Sequence, residues 1–160
     1  SSITDEILED AGTIFYPLRL DDIASRLGVT IRPLDEDLCK DYSGFAFVDS
    51  TTGDKLIYYN QCESFNRQRF TIAHELGHLV LEHTVFKESS MMTLSELYKV
   101  IDDHFEKEAN IFASEFLMPS KAVLRLAGSK VSRTECDLAV LFNVSIEAVD
   151  WKLRYLKIID

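Results

Sequence analysis

Two histidines and a glutamate in the run His74-Glu-Leu-Gly-His78 are the residues best suited to chemistry. On a helix, His74 and His78 lie one turn apart on the same face, so both imidazoles can reach one metal ion. Zn²⁺ held in this way lowers the pKa of a water molecule and polarises a carbonyl group. Glu75 is beside the pair and can take a proton from that water. The spacing therefore predicts a hydrolytic zinc site with Glu75 as its general base.

This motif requires a helix with one face against the core, and the sequence predicts one over residues 64–83. Ser64 can cap its N-terminus, and no proline interrupts residues 65–83. Apolar residues recur at helical spacing, so the helix should be largely buried. Gly77 lowers helix propensity by about 1 kcal/mol relative to alanine. Either another element approaches the helix closely there, or a glycine is simply tolerated.

A catalytic zinc ion usually takes three protein ligands, of which this motif supplies two. Leu81 and Thr84 occupy the positions where the metzincin pattern requires glycine and histidine. His83 is one residue out of register for that pattern. We expect His83 to be a polar residue near the helix C-terminus, where a positive charge is favourable. The third ligand should then lie on a separate element.

A second helical pattern, over about residues 93–118, carries three candidate glutamates and is ended by Pro119. Its expected core-facing stripe comprises Phe105, Ile111, Phe112 and Phe116. Glu108 lies on the side of this stripe, Glu115 shares the stripe or its edge, and Glu106 is off it. A buried carboxylate is costly unless it is paired or bound to metal. The periodicity leaves both Glu108 and Glu115 open.

The order of predicted elements is helix, strand, hairpin and then mostly helix, which indicates an α+β fold with a small antiparallel or mixed sheet. The hairpin joins residues 45–48 and 56–59, with Gly53 in its turn. Shorter helices are expected at 3–10, 18–27, 133–142 and 145–157, and a loop at 84–92. A chain of 160 residues is most simply one domain, residues 1–160.

Charge and cysteine content exclude several classes of protein. A net charge of −10 argues against a general affinity for nucleic acid or for anionic membranes. Residues 130–160 have a helix-turn-helix rhythm, but their five basic and five acidic side chains give no basic footprint. No segment is long and apolar enough to span a membrane. The three widely spaced cysteines and the lack of a signal-like N-terminus indicate the cytoplasm.

The run Arg69-Phe-Thr-Ile-Ala-His-Glu-Leu-Gly-His78, followed by Glu108-Ala-Asn-x-Phe-Ala-x-x-Phe-Leu-Met-Pro119, resembles the ImmA/IrrE metallopeptidases. The resemblance covers roughly residues 42–120. It implies a zincin-like domain of the gluzincin type, in which the hairpin sheet packs on the motif helix and a second helix brings Glu108 as the third zinc ligand. It also implies a regulatory role in a bacterium, phage or mobile element, with a helix-turn-helix transcriptional repressor as the protein that is cleaved.

Two further points follow from the residues and the resemblance. Many zinc peptidases add a histidine or tyrosine that donates to the oxyanion, and the candidates are His104, Tyr98, Tyr58 and Tyr59. The alternative to an enzyme is a metal-stabilised interaction module, or a toxin–antitoxin-like partner of such a regulator, with little proteolytic turnover.

Overall fold

The mixed sheet and the motif helix lie in the same compact part of the chain. The computed structural model describes residues 2–10, 16–83, 86–87, 103–128 and 134–160. These form two compact units, which we call the sheet unit (Leu20–Ala113) and the helical unit (Ser1–Arg19 with Ser114–Asp160). Tyr98 and the expected helical residues 93–102 lie outside the described residues. The α+β class is confirmed, and the single domain over residues 1–160 stays a prediction.

The sheet has four strands in the order β1-β3-β2-β4. The strands β1 (Val29–Pro33) and β3 (Lys55–Tyr59) pair in parallel, whereas β2 (Gly44–Asp49) and β3 form the expected antiparallel hairpin. Gly53 has a φ of +77° in the hairpin turn, a conformation that glycine adopts without steric cost. The two-residue strand β4 (Phe86–Lys87) pairs in parallel with the end of β2. It falls where the sequence predicted only a loop.

Three α-helices of the described residues belong to the sheet unit. Helix α2 (Leu20–Arg26) precedes β1, and α3 (Phe65–Val80) carries the motif and packs on β2 and β3. As predicted, Ser64 is its N-cap and accepts a hydrogen bond from the backbone N–H of Arg67 at 3.4 Å. Helix α4 (Asp103–Leu117) begins in this unit and carries the candidate glutamates.

The packing of α3 on the sheet is close and apolar. Its buried face includes Ala73 and Leu76, and Ile57 of β3 is fully buried. Burying a side chain of the size of leucine or isoleucine contributes about 1.5–3 kcal/mol. At Gly44 an added Cβ would lie 2.5 Å from Cγ2 of Thr71 and 2.6 Å from the carbonyl oxygen of Tyr58. The absence of a side chain at position 44 therefore lets helix and strand approach each other.

The buried face of α4 differs from the predicted stripe. Phe112 and Phe116 are buried as predicted, but Phe105 and Ile111 are 38% and 58% exposed. In the sheet unit the buried positions are completed by Ala109 and Ala113, both fully buried. The stripe prediction gave weight to large side chains, whereas the helix turns its small residues inward and so packs closely.

The helical unit contains α1 (Ile3–Asp10), α5 (Ser120–Ala127), α6 (Glu135–Phe142) and α7 (Ile146–Tyr155). Helix α5 was not predicted from the sequence. Lys152 is 2% exposed in this unit, and its Nζ donates to Oε2 of Glu115 at 2.5 Å. Glu115 also accepts from the backbone N–H and the hydroxyl of Ser120 at the start of α5. Because these groups satisfy its carboxylate, Glu115 is an unsuitable metal ligand.

Candidate metal centre

The imidazoles of His74 and His78 converge because α3 places them one turn apart. Their Nε2 atoms are 3.1 Å apart, and the ring planes lie at 86° to each other. The side chain of His78 is 3% exposed and that of His74 is 12% exposed. Two imidazole nitrogens thus face the same small volume with little access to solvent.

Glu106 of α4 supplies the third donor. Its Oε2 lies 3.0 Å from Nε2 of His74, and its Oε1 lies 2.9 Å from Nε2 of His78. One ligand atom from each of the three residues can be chosen so that all three atoms lie within 4.8 Å of one another. Within the described ranges, this is the one group of three such side chains that meets this condition. Two histidine nitrogens and a carboxylate oxygen are a donor set that catalytic zinc uses, so these residues fit the ion.

Glu108 lies elsewhere. Its Oε2 is 2.7 Å from Nε2 of His83, and its Oε1 is 2.9 Å from Nε2 of His104. Residues two positions apart on a helix are separated by about 200° of rotation about its axis. Glu106 and Glu108 therefore point to different sides of α4. The geometry thus brings Glu106 rather than Glu108 to the two imidazoles, and the choice of Glu108 as third ligand stays a prediction. Reasoning from the apolar stripe missed Glu106, which lies one turn before Asn110, a residue whose side chain contacts His74 of α3.

Two residues that the sequence reasoning did not place at the site contact the ligands from outside. Oδ1 of Asn110 lies 2.8 Å from Nδ1 of His74. Nδ1 of His83 lies 3.4 Å from Nδ1 of His78. The signal for Asn110 was its position four residues after Glu106, on the same helix face.

The end of α3 explains how His83 reaches the site. Glu82 has a φ of +60°, and the next backbone N–H, that of His83, donates to the carbonyl oxygen of His78 at 2.8 Å. The N–H of Glu82 itself donates to the carbonyl oxygen of Leu79 at 3.3 Å. This is the Schellman arrangement of a helix C-terminus, with a left-handed residue just beyond the helix. It turns the chain back, so that His83 lies over the last turn of α3 instead of leaving it.

Burial sets the protonation of the two central groups. Burial, with the charge of Glu106 as the second cause, raises the pKa of Glu75 to about 8. Burial also lowers the pKa of His78 to about 4, with repulsion from His74 as the next cause and Glu106 acting the opposite way. His78 is therefore neutral at pH 7, which is the form that binds a metal ion. A cation at the site would favour the charged carboxylate of Glu75.

The predicted oxyanion donors that lie within the described residues are His104, Tyr58 and Tyr59. His104 is 71% exposed at its side chain and contacts Glu108. Tyr58 and Tyr59 are half-buried on β3, and the ring of Tyr58 stacks on Phe45 with centroids 5.0 Å apart. The role of these three residues stays a prediction.

The helix with the HExxH motif and the glutamate of a second helix define a metal site of the zincin type. The family model described as Peptidase_M78, the IrrE N-terminal-like domain, matches residues 24–154. The chain therefore belongs to the ImmA/IrrE family of metallopeptidases, as the sequence motifs predicted.

Two known proteins are similar to the chain. It is 32% identical over 111 residues to Metallopeptidase ImmA of Bacillus subtilis, which covers 69% of this chain and 62% of that protein. A structure titled as a Mycobacterium tuberculosis transcriptional regulator superposes with a TM-score of 0.59 at 17% identity, covering 94% of this chain and 45% of the other. This second likeness shows the fold. The chain thus spans under two thirds of each of these proteins. No helix among the described residues is long and apolar enough to cross a membrane.

Proposed function

We propose that this chain is a zinc-dependent endopeptidase in which His74, His78 and Glu106 hold the metal ion and Glu75 is the general base. One observation carries the proposal: Nε2 of His74, Nε2 of His78 and the Glu106 carboxylate come within 3.1 Å of each other, next to a buried Glu75. Membership of a peptidase family supports the same chemistry.

The residues divide the work of peptide hydrolysis. Zn²⁺, when bound, acts as a Lewis acid that polarises the peptide carbonyl and makes a water molecule more acidic. Glu75 accepts a proton from the attacking water and passes it to the leaving amine. Burial raises the pKa of Glu75, whereas a bound cation would favour its charged form, which is the form that accepts the proton. His78 stays neutral, so one of its ring nitrogens has a lone pair that could bind the ion.

The substrate that we propose is a protein, namely a helix-turn-helix transcriptional repressor, cleaved in the cytoplasm. Membership of a metallopeptidase family supports a protein substrate, and the motifs that resemble the ImmA/IrrE proteins point to the repressor. The negative net charge favours a protein partner over nucleic acid.

The test of the reaction separates metal binding from turnover. The zinc-loaded chain is mixed with the regulator encoded next to its gene, and fragments are identified by mass spectrometry. The wild type should release discrete fragments, and Glu75→Gln should release none while it retains one zinc ion per chain. Cleavage that survives in Glu75→Gln would refute the role of Glu75. Stoichiometric zinc without cleavage of any protein would favour the interaction module.

The choice between the two glutamates is tested by zinc content alone. Glu106→Gln and Glu108→Gln are compared with Glu36→Gln, an exposed glutamate of the sheet unit that undergoes the same chemical change. Glu106→Gln should lose zinc on dialysis against a weak chelator, whereas Glu36→Gln should retain it. If Glu106→Gln retains zinc and Glu108→Gln loses it, Glu108 is the ligand.

A further inference from the structure

We propose that Asn110 and the pair His83–Glu108 are positioning residues, which fix the orientation and the proton placement of the two histidine ligands. The inference rests on the proposed metal site and assigns a role to groups that do not touch the ion. Metal-binding histidines commonly donate their second ring N–H to a carbonyl or carboxylate group, which selects the tautomer. His74 has such a neighbour in Asn110, whereas the neighbour of His78 is the ring of His83, which in turn contacts the carboxylate of Glu108.

The first of two positioning arms is the side chain of Asn110, which holds His74. Nδ1 of His74 lies 2.8 Å from Oδ1 of Asn110, while its Nε2 faces His78 and Glu106 at 3.1 and 3.0 Å. A carboxamide oxygen only accepts hydrogen bonds, so Nδ1 of His74 carries the proton. The lone pair is then on Nε2, the atom that faces the other two donors. Asn110 thereby selects the tautomer of His74 that can bind a metal ion.

The second arm consists of His83 and Glu108 and holds His78 through two successive contacts. Nδ1 of His78 and Nδ1 of His83 are 3.4 Å apart, so one must donate and the other must accept. Since Nε2 of His78 faces the ligand cluster, its proton must be on Nδ1, and His83 is the acceptor. The proton of His83 is then on Nε2, which lies 2.7 Å from Oε2 of Glu108. Both ends of the arm thus require the same direction of donation, from His78 to His83 to Glu108.

The fold holds this arm in place. The left-handed residue Glu82 turns the chain so that His83 lies beside His78. The His83 ring is buried and stacks on Phe105, with centroids 4.2 Å apart and planes at 17°. His104 contacts the second oxygen of Glu108 at 2.9 Å from one turn earlier on α4. These contacts leave the imidazole of His83 little freedom to turn away from His78.

The experiment measures zinc affinity of the full chain by competition with a chromogenic chelator. Asn110→Ala, His83→Phe and Glu108→Gln should each weaken affinity about 10–100-fold, the usual effect of removing an outer partner of a metal ligand. Glu36→Gln should leave the affinity unchanged. His83→Phe keeps a ring to stack on Phe105, so the thermal midpoint of the metal-free chain should remain that of the wild type.

Two further variants separate positioning from a structural role. His83→Gln offers a carbonyl acceptor to Nδ1 of His78 and should recover part of the affinity lost in His83→Phe. The double variant His83→Phe with Glu108→Gln should bind no more weakly than His83→Phe alone, because Glu108 acts through His83. The visible absorption spectrum of bound Co²⁺ should shift in His83→Phe and move back in His83→Gln.

The outcomes are distinct for the inference and for the proposed function. Affinities within threefold of the wild type in all three single variants would overturn the inference and leave the zinc site standing. A loss in Glu108→Gln as large as that in Glu106→Gln would also overturn it, because Glu108 would then be a ligand. A wild-type chain that binds no zinc would instead refute the proposed function on which the inference rests.

Discussion

A methyl group at position 77 is expected to disturb both stability and metal binding. An added Cβ would lie 2.9 Å from Cδ1, 3.1 Å from Cγ and 3.2 Å from Cβ of Phe112. Rotation of the Phe112 ring can relieve the first contact, but the third involves an atom fixed to the backbone of α4. Alanine gains about 1 kcal/mol of helix propensity over glycine. Overpacking of this kind costs about 1–3 kcal/mol. The net expectation for Gly77→Ala is a loss of about 1 kcal/mol.

The assay is urea unfolding of the metal-free chain, followed by measurement of zinc affinity. If α4 shifts to accommodate the methyl group, Glu106 moves with it, so Gly77→Ala should also weaken zinc binding. Asn66→Ala is the matched control, since Asn66 is exposed on the same helix and its replacement should stabilise slightly. In a Phe112→Leu background, where no ring faces position 77, the penalty of Gly77→Ala should shrink.

One result would refute this reasoning. If Gly77→Ala stabilises the chain by about 1 kcal/mol, as helix propensity alone predicts, and leaves zinc affinity unchanged, then Gly77 is simply tolerated. The contact with Phe112 would then have no energetic consequence.

Three further predictions concern the rest of the fold, and each can be measured as a free energy of unfolding. Lys152→Met should cost about 3 kcal/mol at pH 7, because it leaves Glu115 without its cation. Burial raises the pKa of Glu115, but hydrogen bonds from Lys152 and Ser120 lower it more, so the pKa is lowered on folding. The contribution of Glu115 to the free energy of unfolding is therefore present above its unfolded-state pKa and is lost as the pH falls through its folded-state pKa. The deficit should shrink in acid and in the double variant with Glu115→Gln; a pH-independent deficit would refute the pairing. Thr134→Ala should cost about 1 kcal/mol by removing the capping box of α6, and no change would contradict it. Gly44→Ala should cost more than 2 kcal/mol, since its Cβ would meet backbone as well as a side chain, and a smaller loss would show that the strand moves.

The sequence predicted α3 well because several independent signals agree there. The capping serine, the absence of proline and the histidine spacing all concern residues near each other in the chain. The hairpin was equally predictable, since its turn and its alternating strands are local features of the sequence. The close approach at Gly77 was left open, because which residue fills the space depends on a helix about thirty residues later.

The features that were missed depend on contacts that periodicity does not contain. Glu106 was set aside because it lies off the line of large apolar residues, yet the inward face of α4 is built from Ala109 and Ala113. Helix α5 was missed because Pro119 was taken as an end, whereas it is the residue before a new helix. The carboxylate of Glu115 accepts from the first N–H of that helix, that of Ser120. Only the folded chain shows that Glu115 has this use.

The backbone of Glu82 has the left-handed conformation, and the turn that it forms makes this segment less tolerant of changes in length than a surface loop. His83 follows His78 by five positions, and the hydrogen bond between their backbone groups forms only at this spacing. One inserted residue would carry the His83 imidazole away from its neighbour without altering any side chain at the site. An insertion beside Gly53, in the exposed hairpin turn, would alter only a surface loop. The segment after the motif is thus constrained in length as well as in residue type.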